Sequence, residues 1–139
     1  MLRNILLQRK AATILLVEDE RGAPSKMAPI LRSKGYRVLQ ARTPEAAFQI
    51  GSRHDGQIDL LLTEATLPGL YGWQLAELMK LDYPHLRVLY ITDVSGDDAQ
   101  EFIDSSDSFL HKPFRDHDLV LAVSQALDEH VIARSHLLF

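Results

Sequence analysis

Four short segments of the sequence carry side chains that could do chemistry together, and acidic groups predominate among them. Clustered carboxylate oxygens suit a hard cation such as Mg²⁺. A hydroxyl group beside an ammonium group can hold phosphate oxygens. The pattern therefore predicts a site that binds a cation or handles a phosphoryl group. The four segments are Glu18-Asp19-Glu20, Thr63-Glu64, Thr92-Asp93 and His111-Lys112-Pro113-Phe114.

Each of these segments directly follows an apolar run of strand length. Three of the runs are nearly continuous in Leu, Ile and Val, as in strands that are covered on both faces of a parallel sheet. Because functional groups collect at the carboxyl ends of parallel strands, we expect one edge of the sheet to bring the four segments together. The predicted strands are Thr13–Val17, Tyr36–Leu39, Ile58–Leu62, Leu86–Ile91 and Ser108–Leu110.

Helical patterns fill the intervals between the predicted strands. In the first, Met27, Ile30 and Leu31 form a stripe that Gly35 ends; Pro29 should kink this helix or delay its start if it begins near Arg21. In the second, Thr43 is a candidate N-cap before Pro44. Five strands alternating with five helices predict a doubly wound α/β fold. The other helices are predicted over Gly72–Lys80 with Leu75, Leu78 and Met79 on one face, over Gly96–Asp104, and over Asp116–Ala133 with Leu119, Val120, Val123, Leu127 and Val131 inward.

Length and composition limit the class of protein. The chain has 139 residues, 15 Lys and Arg against 19 Asp and Glu, a net charge of −4 and no cysteine. This length fits one domain, which we expect over residues 12–134, with an N-terminal extension at 1–11, a tail at 135–139 and no room for a fused effector domain. The acidic balance disfavours nucleic-acid binding, and the lack of cysteine excludes a thiol nucleophile. No apolar run reaches the ~18 residues of a membrane span, so we expect a cytoplasmic protein.

The motifs together resemble the receiver domain of two-component response regulators. The run from Ile14 to Glu20 is similar to the first strand and acidic pair of that family. Leu67-Pro68-Gly69 is similar to the loop after its phospho-acceptor strand, and Lys112-Pro113-Phe114 to its Lys-Pro-Phe motif with a cis Lys-Pro bond. The resemblance implies a five-stranded (βα)₅, flavodoxin-like fold. It also implies a signalling module of a two-component system or phosphorelay that acts by protein–protein contact and is not an enzyme.

The same resemblance assigns roles to individual residues. Thr92 and Lys112 would contact a phosphoryl group, and Phe109 would be the aromatic switch on the last strand. The implied partners are a histidine kinase, a phosphotransfer protein or a separate effector. They would contact the fourth helix, the last strand and the last helix, over Asp97–Asp104, Ser108–His111 and Asp116–Val131. The implied Mg²⁺ ligands, with retention of the ion left open, are Glu18, Asp19, Glu64 and the backbone carbonyl of Thr66.

Two positions depart from the family pattern. The acceptor Asp lies four positions before the loop proline, and counting back from Pro68 gives Glu64. Glutamate is one methylene longer, and a misplacement of about 1 Å at a reacting centre can cost about 100-fold in rate. Asp93 replaces the small residue that usually follows the Thr/Ser, and its charge should oppose an anionic phosphoryl donor. We therefore expect that phosphorylation at Glu64 is lost.

Several alternatives stay open at this point. Glu64 could accept phosphate in a functioning phosphorelay receiver, serve only as a salt-bridge partner, or lock the receiver in an active-like state. The chain could also be a small phosphatase of the haloacid-dehalogenase type, although Glu18 stands where that family has its nucleophilic Asp, or a module that responds to divalent cations or pH. Trp73 is interpreted as a packing residue or as partner surface. The two ends of the chain are apolar, and each could dock on the domain, fray or form a homodimer contact; the residues are Leu2, Ile5, Leu6 and Leu7, and Leu137, Leu138 and Phe139. The histidines are interpreted as surface residues: His54, His85, His111, His117, His130 and His136.

Overall fold

The computed structural model describes residues 11–19, 25–93 and 107–138, with the side chains of the last helix described as far as Leu127. The predicted helix over Gly96–Asp104, Glu20 and residues 1–10 of the N-terminal extension lie outside the described residues. The elements are β1 Thr13–Val17, α1 Met27–Ser33, β2 Arg37–Ala41, α2 Pro44–Arg53, β3 Leu60–Glu64, β4 Thr66–Leu67, β5 Leu70–Tyr71, α3 Gly72–Asp82, β6 Arg87–Thr92, β7 Ser108–His111 and α4 Asp116–Leu138.

Five strands form one parallel sheet in the order β2-β1-β3-β6-β7. The strand order changes direction at β1, as in a doubly wound sheet whose crossover helices cover both faces. The predicted α/β fold class is confirmed. The central strands β1, β3 and β6 are those with nearly continuous Leu, Ile and Val, because both of their faces are buried.

Two apolar clusters cover the two faces of the sheet. Alternate residues of each strand point to opposite faces, so Leu61 and Leu62 belong to different clusters. The first cluster joins the sheet to α2 and α3 through residues such as Ala47 and Met79. The second joins it to α1 and α4, where the fully buried Leu31, Leu119 and Val123 pack. We call these faces the α2/α3 face and the α1/α4 face.

The ends of the first two helices follow local sequence signals. Helix α1 begins at Met27, so Pro29 is its third residue, and the structure confirms the delayed start. A proline is tolerated there because the first-turn N–H groups have no partner within the helix. Gly35 follows the helix with a φ of 94°. Thr43 caps α2, and its side chain accepts a hydrogen bond from the Ala46 N–H at 3.0 Å.

Three expectations about elements were wrong in detail. Asp59 precedes β3 instead of lying inside it, and its Oδ2 accepts a hydrogen bond from the Thr13 N–H at 2.8 Å. Leu78 is 44% exposed, because the buried face of α3 runs through Leu75, Ala76 and Met79. Helix α4 continues past Ala133 to Leu138, since no Gly or Pro interrupts its sequence.

Within the part of the chain that the structure describes, no helix combines the length and the apolar character that a membrane crossing would require.

Candidate functional site

The register of the parallel strands brings the predicted segments to one edge of the sheet. Val17 pairs with Thr63 across β1 and β3, and Glu64 pairs with Ile91 across β3 and β6. Thr92 pairs with His111 across β6 and β7. These residues lie at or next to the carboxyl ends of their strands, so the acidic, hydroxyl and ammonium groups all lie at this edge. Asp59 lies at the opposite end of β3 and is no candidate acceptor.

An ion pair between Glu64 and Lys112 lies at the centre of this edge. Nζ of Lys112 donates a hydrogen bond to Oε1 of Glu64 at 2.9 Å. The Glu64 side chain is 20% exposed and that of Lys112 is 41% exposed. Charge-assisted bonds of this length are among the stronger hydrogen bonds, although solvent weakens a pair that is this accessible. The contact assigns Lys112 a partner and fixes its ammonium group at the acceptor position.

The acidic surroundings raise the pKa of Lys112. Partial burial acts to lower it, but the hydrogen bond and charge of Glu64, together with the charges of Asp93 and Glu18, outweigh burial. A lysine whose pKa is raised on folding contributes stability at pH values below its unfolded pKa, and this contribution is lost as the pH rises through the folded pKa. The contribution of Lys112 is therefore fully present at neutral pH.

Titration of Lys112 provides a prediction about this pair. With ¹³Cε-labelled lysine, the Lys112 signal should titrate at a pH above the ordinary range of a lysine side chain, because its pKa is raised. Replacing Glu64 by Gln should lower the Lys112 midpoint, because it removes the largest favourable charge. Glu77→Gln, on the exposed face of α3, is the matched control and should leave the midpoint unchanged. A Lys112 midpoint that is equal in the wild type and in Glu64→Gln would contradict the assigned pair.

The predicted metal ligands are close in the fold but do not form a complete metal site. Glu18 is 5% exposed, and its N–H donates to the Ala41 carbonyl at 3.1 Å, while Asp19 is partly exposed. Over residues 11–19, 25–93 and 107–127, no three His, Asp or Glu side chains lie together as metal ligands. One oxygen of the Glu64 carboxylate, Oε1, is bonded to the Lys112 ammonium group. Metal binding stays a prediction.

The loop after Glu64 forms a small hairpin that the sequence did not predict. Strands β4 and β5 pair Thr66 with Tyr71, and Gly69 between them has a φ of 78°. The N–H of Gly72, the first residue of α3, donates to the Ala65 carbonyl at 2.8 Å. The hairpin thus fixes the backbone of Thr66, the predicted carbonyl ligand, two residues after the acceptor position.

Thr92, Phe109 and His111 form contacts between β6 and β7. The rings of Tyr90 and Phe109 have centroids 5.6 Å apart. Oγ1 of Thr92 and Nδ1 of His111 share a hydrogen bond at 2.8 Å. The interpretation of His111 as a surface residue was incomplete, since its exposed side chain bonds a hydroxyl at the site. The bond depends on the register that pairs His111 with Thr92, and neither strand gives that register by its own sequence.

Three other predicted features have definite places. The Lys112–Pro113 bond is cis, as the resemblance implied. Asp93 is exposed next to Thr92. Trp73 is half-buried on the α2/α3 face, and its ring stacks with that of Tyr71 at 6.4 Å.

Comparison with known proteins agrees with this geometry. The family model of the response regulator receiver domain matches residues 14–124. The response regulator protein FleR of Pseudomonas aeruginosa is 30% identical over 117 residues, which are 83% of this chain and 24% of that protein. The sensor kinase CckA of Brucella abortus is 26% identical over 121 residues, or 86% of this chain and 13% of that protein. The chain thus spans a minor part of these two relatives.

Solved structures give the same result. The receiver domain of the hybrid histidine kinase CckA has a TM-score of 0.70 and 32% identity, and the match covers 84% of this chain and 99% of that one. A response regulator receiver protein from Sinorhizobium medicae has a TM-score of 0.75 and 26% identity, with 86% and 96% covered. The chain therefore belongs to the response regulator receiver domain family of two-component signalling proteins.

Proposed function

We propose that this chain is a receiver that signals through protein–protein contacts and does not take phosphate at Glu64. The observation that carries the proposal is the 2.9 Å contact between Nζ of Lys112 and Oε1 of Glu64. An ammonium group that is hydrogen-bonded to Oε1 offsets part of the negative charge with which that carboxylate would attack phosphorus.

The length of Glu64 supports the same conclusion. Its carboxylate lies one methylene further from β3 than an aspartate would, and such a displacement of a reacting group is costly. A carboxylate carries a charge of −1, whereas a phosphoryl group carries about −1.5 to −2. Glu64 is therefore a partial, permanent substitute for a phosphorylated acceptor, and Lys112 stays in one position whether or not a phosphoryl donor is present.

The charges around Lys112 also oppose an incoming phosphoryl donor. Glu64, Asp93 and Glu18 all act on the Lys112 ammonium group electrostatically. Among the described residues that act on Lys112, three carboxylates face one ammonium group, so negative charge is in excess. A donor such as acetyl phosphate is itself an anion, so its approach should be slow.

We propose a protein partner on the surface formed by β7 and α4. The partner is a histidine kinase, a phosphotransfer protein or a separate effector, and kinases are named among the relatives as a sensor kinase and a hybrid histidine kinase. The proposed unit is the receiver over residues 12–134. In this proposal the chain binds no nucleic acid, stays in the cytoplasm and catalyses no turnover of its own.

A first test is the ¹H–¹⁵N spectrum of the chain in the presence of Mg²⁺, recorded before and after addition of acetyl phosphate. The amide signals of Thr92 and Lys112 should not move on addition of the donor, because Glu64 forms no phosphoryl adduct. Shifts of these two signals that disappear as the donor is consumed would show that the chain signals by phosphorylation.

The second candidate function is an ordinary phosphorelay receiver that tolerates Glu64. It is favoured by the placement of Thr92 and Lys112 at the same edge as the acceptor position. Phosphotransfer from a labelled histidine kinase separates the two functions, since label in this chain would establish the second. Calorimetry with Mg²⁺ and Ca²⁺ tests the cation-responsive alternative, which requires a measurable heat of binding.

A further inference from the structure

The hydroxyl group of Thr92 is bonded to a histidine instead of to the acidic site. Thr92 is 2% exposed, and a buried hydroxyl group needs a hydrogen-bond partner. That partner is Nδ1 of His111, at 2.8 Å. The exposed imidazole of His111 therefore reaches a group that solvent does not.

The strand register places this bond on one face of the sheet. Tyr90 pairs with Phe109, and two residues later Thr92 pairs with His111. Side chains two residues apart on a strand point to the same face, so both pairs belong to the α2/α3 face, where Tyr90 and Phe109 pack. On this face β6 and β7 are therefore joined by two successive side-chain contacts, first between the rings of Tyr90 and Phe109 and then between Thr92 and His111.

Glu64 leaves the sheet on the opposite face. It follows Leu62 by two residues, and Leu62 belongs to the cluster on the α1/α4 face. Its register partner Ile91 belongs to that cluster as well. The carboxylate of Glu64 and the hydroxyl of Thr92 are thus directed away from each other by the pleat, and the bond to His111 keeps the hydroxyl where the pleat places it.

The same pair of residues also anchors Lys112. The Lys112 N–H donates to the Thr92 carbonyl at 2.8 Å, and Lys112 directly follows His111. Two hydrogen bonds therefore join the ends of β6 and β7: the backbone bond between Lys112 and Thr92, and the bond between the Thr92 hydroxyl and the His111 imidazole. Beyond it, the Lys112 side chain extends to Glu64.

We propose that His111 is a positioning residue that holds the Thr92 hydroxyl on the α2/α3 face, away from the Glu64 carboxylate. It provides the hydroxyl with a partner inside the chain, so the hydroxyl needs none from a phosphoryl group. This inference rests on the proposed function, because it gives the Thr92 hydroxyl a hydrogen-bond partner in a receiver that takes no phosphate.

The test is the χ1 angle of Thr92, measured in solution from three-bond couplings of its ¹³Cγ2 to the backbone N and C′. The wild type should show the couplings of a single rotamer. His111→Ala should show averaged couplings, because the hydroxyl loses its partner. His111→Asn should restore the wild-type couplings, since its amide atoms lie as many bonds from Cβ as Nδ1 does. His111→Gln should resemble His111→Ala, since its amide reaches the position of Nε2.

Two results would overturn the proposal: wild-type couplings in His111→Ala, or equal rescue by Gln and Asn. If His111→Ala failed to fold, the comparison of Asn with Gln would still decide, because both variants keep a polar side chain at this exposed position. The couplings are measured without any phosphoryl donor. Their outcome is therefore independent of whether acetyl phosphate modifies Glu64, which is the question on which the proposed function depends.

Discussion

Replacing Glu64 by Asp should produce a chain that takes a phosphoryl group from acetyl phosphate in the presence of Mg²⁺, whereas we expect the wild type to take none. The shorter side chain withdraws the carboxylate toward β3 and away from Nζ of Lys112, with which Glu64 is in contact at 2.9 Å. A correction of about 1 Å at a reacting centre is worth about 100-fold in rate. Intact mass measured over time gives the fraction of chain that carries the group.

Adding Asp93→Ala to Glu64→Asp should raise the rate further, because it removes a negative charge from the edge that the donor must approach. The effect of this charge should be about tenfold and should diminish at high salt. Glu77→Asp makes the same chemical change on the exposed face of α3 and is the matched control, with no adduct expected. If the double variant stays inert, the site differs from an active receiver by more than these two residues.

Replacing Gly72 by Ala should destabilise the protein and disturb the acceptor position together. A Cβ atom on Gly72 would lie 2.5 Å from the Glu64 carbonyl oxygen and 3.2 Å from Cγ2 of Thr63. The first of these contacts is with backbone, which cannot rotate away as a side chain can. We expect a loss of about 1–3 kcal/mol in the free energy of unfolding, which is typical of overpacking, with shifts of the Glu64 and Lys112 amide signals.

Gly51→Ala is the matched control for Gly72→Ala. Its Cβ would lie 2.8 Å from Cε of Met79, the end of a flexible side chain. Alanine is also favoured over glycine inside a helix by about 1 kcal/mol, which offsets the crowding. Urea unfolding should therefore show a clearly smaller loss for Gly51→Ala than for Gly72→Ala. Equal losses would mean that the contact with the Glu64 carbonyl is not what excludes a side chain at position 72.

The sheet was predictable because burial on both faces leaves a strong signal in the sequence. The runs in β1, β3 and β6 are almost purely apolar, and a polar residue marks the end of each. The start of α2 at the Thr43 N-cap and the end of α1 before Gly35 were also predictable, because both depend on residues that are adjacent in sequence. The edge that carries Glu64, Thr92 and Lys112 followed from parallel topology, since parallel strands end at a common edge.

Features that depend on tertiary contacts were not predictable in the same way. Each strand of the β4–β5 hairpin has only two residues, which is too short to show a hydrophobic periodicity. The partner of Asp59, the Thr13 N–H, is 46 residues away in sequence. The bond of His111 to Thr92 depends on which residues the β6–β7 register pairs, and that register cannot be read from either strand alone.

The central claim is that this receiver takes no phosphate at Glu64, because the carboxylate there is too long and is paired with Lys112. Its most direct test is the intact mass of the wild-type chain after incubation with Mg²⁺ and excess acetyl phosphate, with Glu64→Asp treated in parallel. We predict an unchanged mass for the wild type and an adduct of one phosphoryl group on the variant. A phosphoryl adduct on Glu64 of the wild type would contradict the claim.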